Sequence, residues 1–166
     1  MAIPLRKPNE IDKLRIANIA VAKTLNYLKT TVKAGMTLKQ VDEMGEKFLR
    51  DLGARPSFKG LYGFPAAICT SLNEVIIHGI PTDVVLKEGD ILGIDIGSEI
   101  DGWYGDSAIT MPIGKISKED EALIACAKDS LYYAIDVIKE GMRFKELSKL
   151  IEDFIVSRGY QPLVRF

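Results

Sequence analysis

Apolar residues along this chain follow two rhythms, and the change from one to the other divides it. Ile11, Leu14, Val21, Leu25, Leu28 and Val32 recur at helical spacing, which gathers side chains on one face of a 3.6-residue period. Asn9 offers an N-cap and Asp12 an acid in the first turn, where the helix dipole favours negative charge. After Gly35, Thr37 with Gln40 three positions on has capping-box spacing, and Leu38, Val41, Met44, Phe48 and Leu49 predict a second amphipathic helix that closes at Gly53.

Between Ala66 and Ile113 the rhythm shortens. Ala66–Leu72, Val75–His78, Ile91–Ile96 and Trp103–Thr110 are β-rich runs separated by turn residues, which predicts an antiparallel sheet. A helical period then returns. Ser117, followed by Lys-Glu-Asp-Glu, opens a third helix expected to run to about Glu140 with Gly141 as its left-handed end, and a fourth is expected from about Phe144 to Arg158.

The two helical regions resemble each other. Val32–Pro56 can be laid on Ile138–Pro162 at a constant offset of 106 residues, with identity at Lys33/Lys139, Gly35/Gly141, Met36/Met142, Lys39/Lys145, Glu46/Glu152, Phe48/Phe154, Gly53/Gly159 and Pro56/Pro162. Amphipathic composition explains the apolar matches but not the Gly-Met pair, the closing Gly and the later Pro in one ungapped register. The reading is one domain over 1–166, with a first repeat at about 9–113 and a second, unfinished one beginning at about 117.

Composition narrows the function classes. A hydrophobic content of 47% in 166 residues supports a packed core, and 22 basic against 23 acidic residues give no field for a nucleic-acid backbone or an anionic membrane. No apolar run approaches the ~20 residues that cross a bilayer, and the Met-Ala-Ile-Pro-Leu-Arg-Lys start has no apolar signal segment. Two unpaired cysteines, Cys69 and Cys126, fit a reducing, cytoplasmic setting.

The candidate chemistry lies in the last strand pair. Asp101-Gly102 is the dipeptide favoured in a two-residue type I′ turn, and that turn pairs residues whose numbers sum to 203. Ile94 then faces Ile109 and Leu92 faces Met111 on an apolar face, while Asp95 faces Ala108, Gly97 faces Asp106 and Gly93 faces Thr110 on the other. Asp95 and Asp106 become diagonal neighbours roughly 7–8 Å apart at Cα among small residues, a reach that suits cations roughly 3.5–4 Å apart. Two readings stay open on the residues alone: solvated acids on an exposed face, or ligands of a paired metal site. Aspartate is disfavoured in strands, and Asp95 interrupts an apolar run. The single histidine, His78, closes the Val-Ile-Ile strand of a hairpin expected around Asn73-Glu74. It is either structural or placed to orient a substrate amide.

Gly63-Phe64-Pro65, the run Cys69 to Pro81, Ile94-Asp95-Ile96-Gly97 and Asp101-Gly102-Trp103-Tyr104-Gly105-Asp106 together resemble type I methionine aminopeptidases over essentially the whole chain. The resemblance implies the pita-bread fold, an α+β layered architecture in which helices cover an antiparallel sheet and an internal pseudo-twofold repeat surrounds the metal site. It implies Asp95 as ligand of one metal, Asp106 as bridge of two divalent ions (cobalt, manganese, iron, zinc or nickel), and His78 as a catalytic residue contacting substrate. Phe64 and Cys69 match the apolar pocket for the methionine side chain, with Phe58 and Leu61 as expected neighbours. The implied reaction is hydrolytic removal of the initiator methionine from nascent chains with a small second residue, by a monomeric full-length enzyme; association with the ribosome is left open.

A histidine in a Gly-His-Gly segment and two glutamates complete the family's ligand set, and no such segments follow Phe166. The chain as written is therefore expected to be catalytically impaired, with a second half-sheet missing and an edge open to self-association. An X-Pro aminopeptidase or prolidase, and a non-catalytic peptide- or partner-binding module of the same fold, are the competing readings.

Overall fold

A computed structural model describes residues 5–163. Helix α1 spans Pro8–Thr31. It starts two residues earlier than the Asn9 cap would place it. Pro8 sits at N1 with its φ already helical, and the Glu10 carboxylate accepts from the Lys7 backbone N–H at 2.7 Å, taking an N–H the helix leaves unpaired. Thr37 and Gln40 cap α2 (Leu38–Asp51) reciprocally: the Gln40 N–H donates to Thr37 Oγ1 at 3.2 Å and the Thr37 N–H to Gln40 Oε1 at 2.8 Å.

Four antiparallel strands follow: β1 (Arg55–Pro56), β2 (Ile68–Leu72), β3 (Ile91–Ile100) and β4 (Trp103–Pro112). Strand β3 is central, with β4 along one edge and β2 and β1 sharing the other. Asp101 and Gly102 have φ of 51° and 78°, the positive pair a type I′ turn requires. The register of β3 on β4 is the one expected from that turn, from Ile100 opposite Trp103 to Leu92 opposite Met111.

Alternation sorts the sheet into two faces. Leu92, Ile94, Ile96, Ile68 and Met111 face the core, where Val21, Leu25 and Leu28 of α1 and Val41 and Leu49 of α2 are buried with them. Helix α1 approaches closely because the sheet makes room for it. A Cβ at Gly105 would stand 2.6 Å from the Ala17 carbonyl carbon, and the Ser98 hydroxyl donates to the Ala17 carbonyl at 2.9 Å. Ile11, expected in the core stripe, is 45% exposed. The turns before Ala17 lie at the hairpin tip, where Arg6 and Lys13 each stand 5.5 Å from the Trp103 ring.

The expected strand at Val75–His78 does not form. The chain turns at Asn73-Glu74 as predicted, with the Val75 N–H donating to the Leu72 carbonyl at 3.0 Å, but Asn73 (φ 51°) bonds to Asp90 and Ile91 instead of opening a hairpin. The returning segment rejoins β2 at Gly79. Val75, Ile76, Ile77 and Ile80 remain exposed.

The chain separates into two compact units, Met1–Ile116 and Ser117–Phe166. The second consists of α3 (Lys118–Val137), capped by Ser117 Oγ accepting from the Asp120 N–H at 3.0 Å, and α4 (Phe144–Ser157). Helix α3 ends short of Glu140 because Ile138 is extended, and the left-handed Gly141 serves the connection instead of the helix end. Helices α2 and α4 have bounds 106 residues apart, as do the extended residues Val32 and Ile138 that end α1 and α3. Among the described residues no helix is long and apolar enough to cross a membrane.

Candidate active site

The face of the sheet opposite the helices carries the polar groups. Cys69 on β2, Asp95 on β3 and Ala108 on β4 form one cross-strand row, and Ser71, Gly93 and Thr110 form the next. Asp106 stands opposite Gly97, one step diagonal from Asp95. Over this face folds the segment Ser57–Pro65, anchored by the Ser57 N–H donating to the Gly97 carbonyl at 3.0 Å. A Cβ at Gly97 would overlap Ser57 Oγ and stand 2.5 Å from Phe58 Cε1. The space beside the aspartates at Gly97 is thus taken by the Phe58 ring.

The segment is tightly turned. Leu61 donates to the Phe58 carbonyl, Phe64 to that of Leu61, and Gly60 to that of Phe64, at 2.9, 2.9 and 2.8 Å. A short 3-10 turn at Leu61–Gly63 contains Tyr62 at φ 48° between Gly60 and Gly63, both also left-handed.

Together these elements enclose an open cavity of about 530 Å³. Asp95, Asp106 and His78 supply its polar groups, and Phe58, Leu61, Phe64 and Cys69 its apolar wall. All the site residues expected from the sequence therefore border one space. Tyr62, Pro65 and Ile80 border it too and were not expected; an aromatic residue between Gly60 and Gly63 was the available signal for Tyr62.

Asp95 is half-buried, whereas Asp106 and His78 are exposed. Burial pushes the Asp95 carboxyl up to about 6, helped by the negative charge of Asp106 and a hydrogen bond shared with it, while His78 acts in the opposite sense. Where burial and a neighbouring carboxylate hold a carboxyl's proton up to about pH 6, a cation could replace that proton and relieve the repulsion. The hard oxygen donors fit divalent ions, though among the described residues no three His, Cys, Asp or Glu side chains converge as a metal-holding group. Burial, then the charges of Asp95, Asp106 and Asp42, push the Cys69 thiol up to about 11, so at neutral pH it is an uncharged, weakly nucleophilic wall group.

Residues 12–166 match the model of metallopeptidase family M24. The chain is 55% identical, over all 166 of its residues, to a methionine aminopeptidase of Helicobacter pylori, and spans 66% of that relative's length. The crystal structure of a methionine aminopeptidase from Rickettsia prowazekii is similar at a TM-score of 0.94 and 31% identity, over 96% of this chain and 64% of that one. An X-Pro aminopeptidase from Thermotoga maritima shares the fold at a TM-score of 0.82 and 23% identity, over 94% of this chain and 42% of that one.

Proposed function

We propose, from the premise that this chain belongs to metallopeptidase family M24, that its function is metal-dependent hydrolysis of an N-terminal methionine from peptides whose second residue is small. The architecture is the family's pita-bread fold. The observation that carries the functional reading is the single cavity in which two carboxylates, the chain's one histidine and an apolar wall meet.

Asp95 and Asp106 would hold two divalent ions, and cobalt, manganese, iron, zinc and nickel are all acceptable to such donors. Bound there, the ions would polarise the scissile carbonyl and make water acidic enough to attack near neutral pH. His78, which lines the cavity, would donate a hydrogen bond to the peptide being cleaved. Phe58, Leu61, Phe64 and the neutral Cys69 form a soft surface that takes a thioether side chain and excludes water from it. The free thiols Cys69 and Cys126 suit a reducing cytoplasm.

Two carboxylates fill a small part of a divalent ion's coordination shell, and exposure of Asp106 leaves the rest to water. Metal binding by this chain is therefore expected to be weak and turnover slow. The test measures manganese binding by the loss of the free-ion paramagnetic resonance signal, alongside methionine release from Met-Ala-Ser with cobalt or manganese. Binding that Asp95→Ala abolishes supports the assignment, and metal-dependent release lost in the same variant extends it to catalysis. Binding that Asp95→Ala leaves unchanged overturns it.

A further inference from the structure

His78 occupies a backbone conformation that a histidine rarely adopts, with φ at 56°. Left-handed non-glycine residues persist where surrounding structure over-determines them. Side-chain packing gives little such support here, because Ile76, Ile77 and Ile80 on either side are 61%, 39% and 53% exposed. The constraint comes from the next residue. The Gly79 carbonyl accepts from the Thr70 N–H at 2.8 Å, and the Gly79 N–H donates to the Ser71 hydroxyl oxygen at 3.2 Å. Residue 79 must also lack a side chain, because a Cβ there would overlap the Thr70 carbonyl oxygen.

Ser71 itself is buried, on the cavity side of β2, two residues beyond Cys69 and opposite Gly93. Its hydroxyl oxygen is a fixed acceptor on a rigid strand, and Gly79 is the point at which the exposed segment meets it. We propose that Ser71 is a positioning residue: by holding the Gly79 N–H it keeps His78 in its left-handed conformation, with the imidazole at the cavity rim. This rests on the cavity being the metal and substrate site, and it adds a residue that touches neither metal nor substrate.

His78 is the chain's one histidine, so its ring gives a single, unambiguous magnetic resonance signal. The test compares the chain with Ser71→Ala and Ser71→Thr. A left-handed residue places its own amide and Hα protons close together, so the unmodified chain shows a strong intraresidue Overhauser effect at His78 and slow exchange at the Gly79 amide. In Ser71→Ala that effect weakens and Gly79 exchange accelerates roughly tenfold, as loss of one neutral hydrogen bond implies. The His78 ring signal shifts or doubles, and its broadening by added manganese falls while broadening around Asp95 and Asp106 persists. Ser71→Thr restores all of these.

An unchanged His78 Overhauser effect and ring signal in a folded Ser71→Ala chain overturns the proposal. So does an unprotected Gly79 amide in the unmodified chain, which decides the matter even if Ser71→Ala fails to fold. Manganese that broadens nothing in the unmodified chain removes the metal reading, while the Overhauser and exchange results still decide the role of Ser71.

Discussion

The Tyr27 ring lies flat on Phe48, centroids 4.3 Å apart and planes within 5°, tying α1 to α2. The residues 106 positions later, Tyr133 and Phe154, stack in the same way at 4.6 Å and 19° between α3 and α4. Helix bounds, extended helix ends, left-handed glycines and an aromatic contact thus all recur at one offset. Two unrelated helix pairs would have no reason to share them, and we take both pairs to descend from one duplicated unit.

Replacing Phe48 with Ala removes a stacked pair together with part of the packing between α1 and α2. The expected loss is about 2–3 kcal/mol in urea unfolding. Phe154→Ala is expected to lower helix content selectively, because the described part of the second unit consists of the helix pair that this contact joins. Circular dichroism that fell equally in both variants would contradict this.

Gly97→Ala and Gly93→Ala separate a filled space from an open one. A Cβ at Gly97 overlaps Ser57 Oγ and the Phe58 ring, whereas one at Gly93 meets nothing nearer than 3.4 Å. Gly97→Ala is expected to cost about 1–3 kcal/mol by overpacking and to displace the segment over the cavity. Gly93→Ala should be close to neutral, and both outcomes can be read from thermal melts and limited proteolysis at Lys59.

The Asp95 carboxyl, held up to about 6 against an ordinary 3.8, makes metal-free stability depend on pH. The folded chain binds this proton more tightly than the unfolded chain. The contribution is therefore complete below the unfolded value and lost as pH rises through about 6. Its size is on the order of 1–2 kcal/mol, reduced from the unscreened conversion because Asp95 remains partly open to solvent. Asp95→Asn should flatten the profile between pH of about 4 and about 7 and be the more stable chain at the upper end. Denaturant midpoints that track the unmodified chain across that range would contradict this. Divalent ions compete with that proton for the same carboxylate, so their apparent affinity should rise up to about pH 6 and level off above it.

Asp42 links α2 to the start of β2, its Oδ1 accepting from the Ala67 and Ile68 N–H groups at 2.9 Å each. Burial raises its carboxyl above the ordinary range despite those two bonds. Because one oxygen takes both bonds, Asp42→Asn retains them and should be nearly neutral in stability. Asp42→Ala leaves two partly buried donors without a partner and should cost about 2–4 kcal/mol, measured by urea denaturation. Equal losses in the two variants would show that the charge, not the acceptor, matters.

The sequence alone determined what depends on neighbours along the chain. Thr37 with Gln40, and Ser117, set helix starts through local hydrogen bonds. Asp101-Gly102 set one turn type, which set a register, which put Asp95 diagonal to Asp106 and both on the face away from Ile94. The 106-residue offset needed no structure to be seen, and the family resemblance lay in the order and spacing of the His and Asp motifs.

Tertiary structure decided what depends on contacts between distant segments. Val75–His78 reads as a strand because it is β-branched, yet Asn73 is captured by Asp90 and Ile91, so the segment leaves the sheet and returns through the bond from Gly79 to Ser71. Ile11 has the spacing of a core residue, but α1 meets the sheet from Ala17 onward. Tyr62 reached the cavity through a left-handed turn that periodicity cannot signal. The raised proton affinity of Asp95 likewise required partial burial around it and Asp106 beside it. Local propensity is a free energy of one segment by itself. Where a segment's hydrogen bonds go, and how much water its charges keep, are set by whatever the fold brings against it.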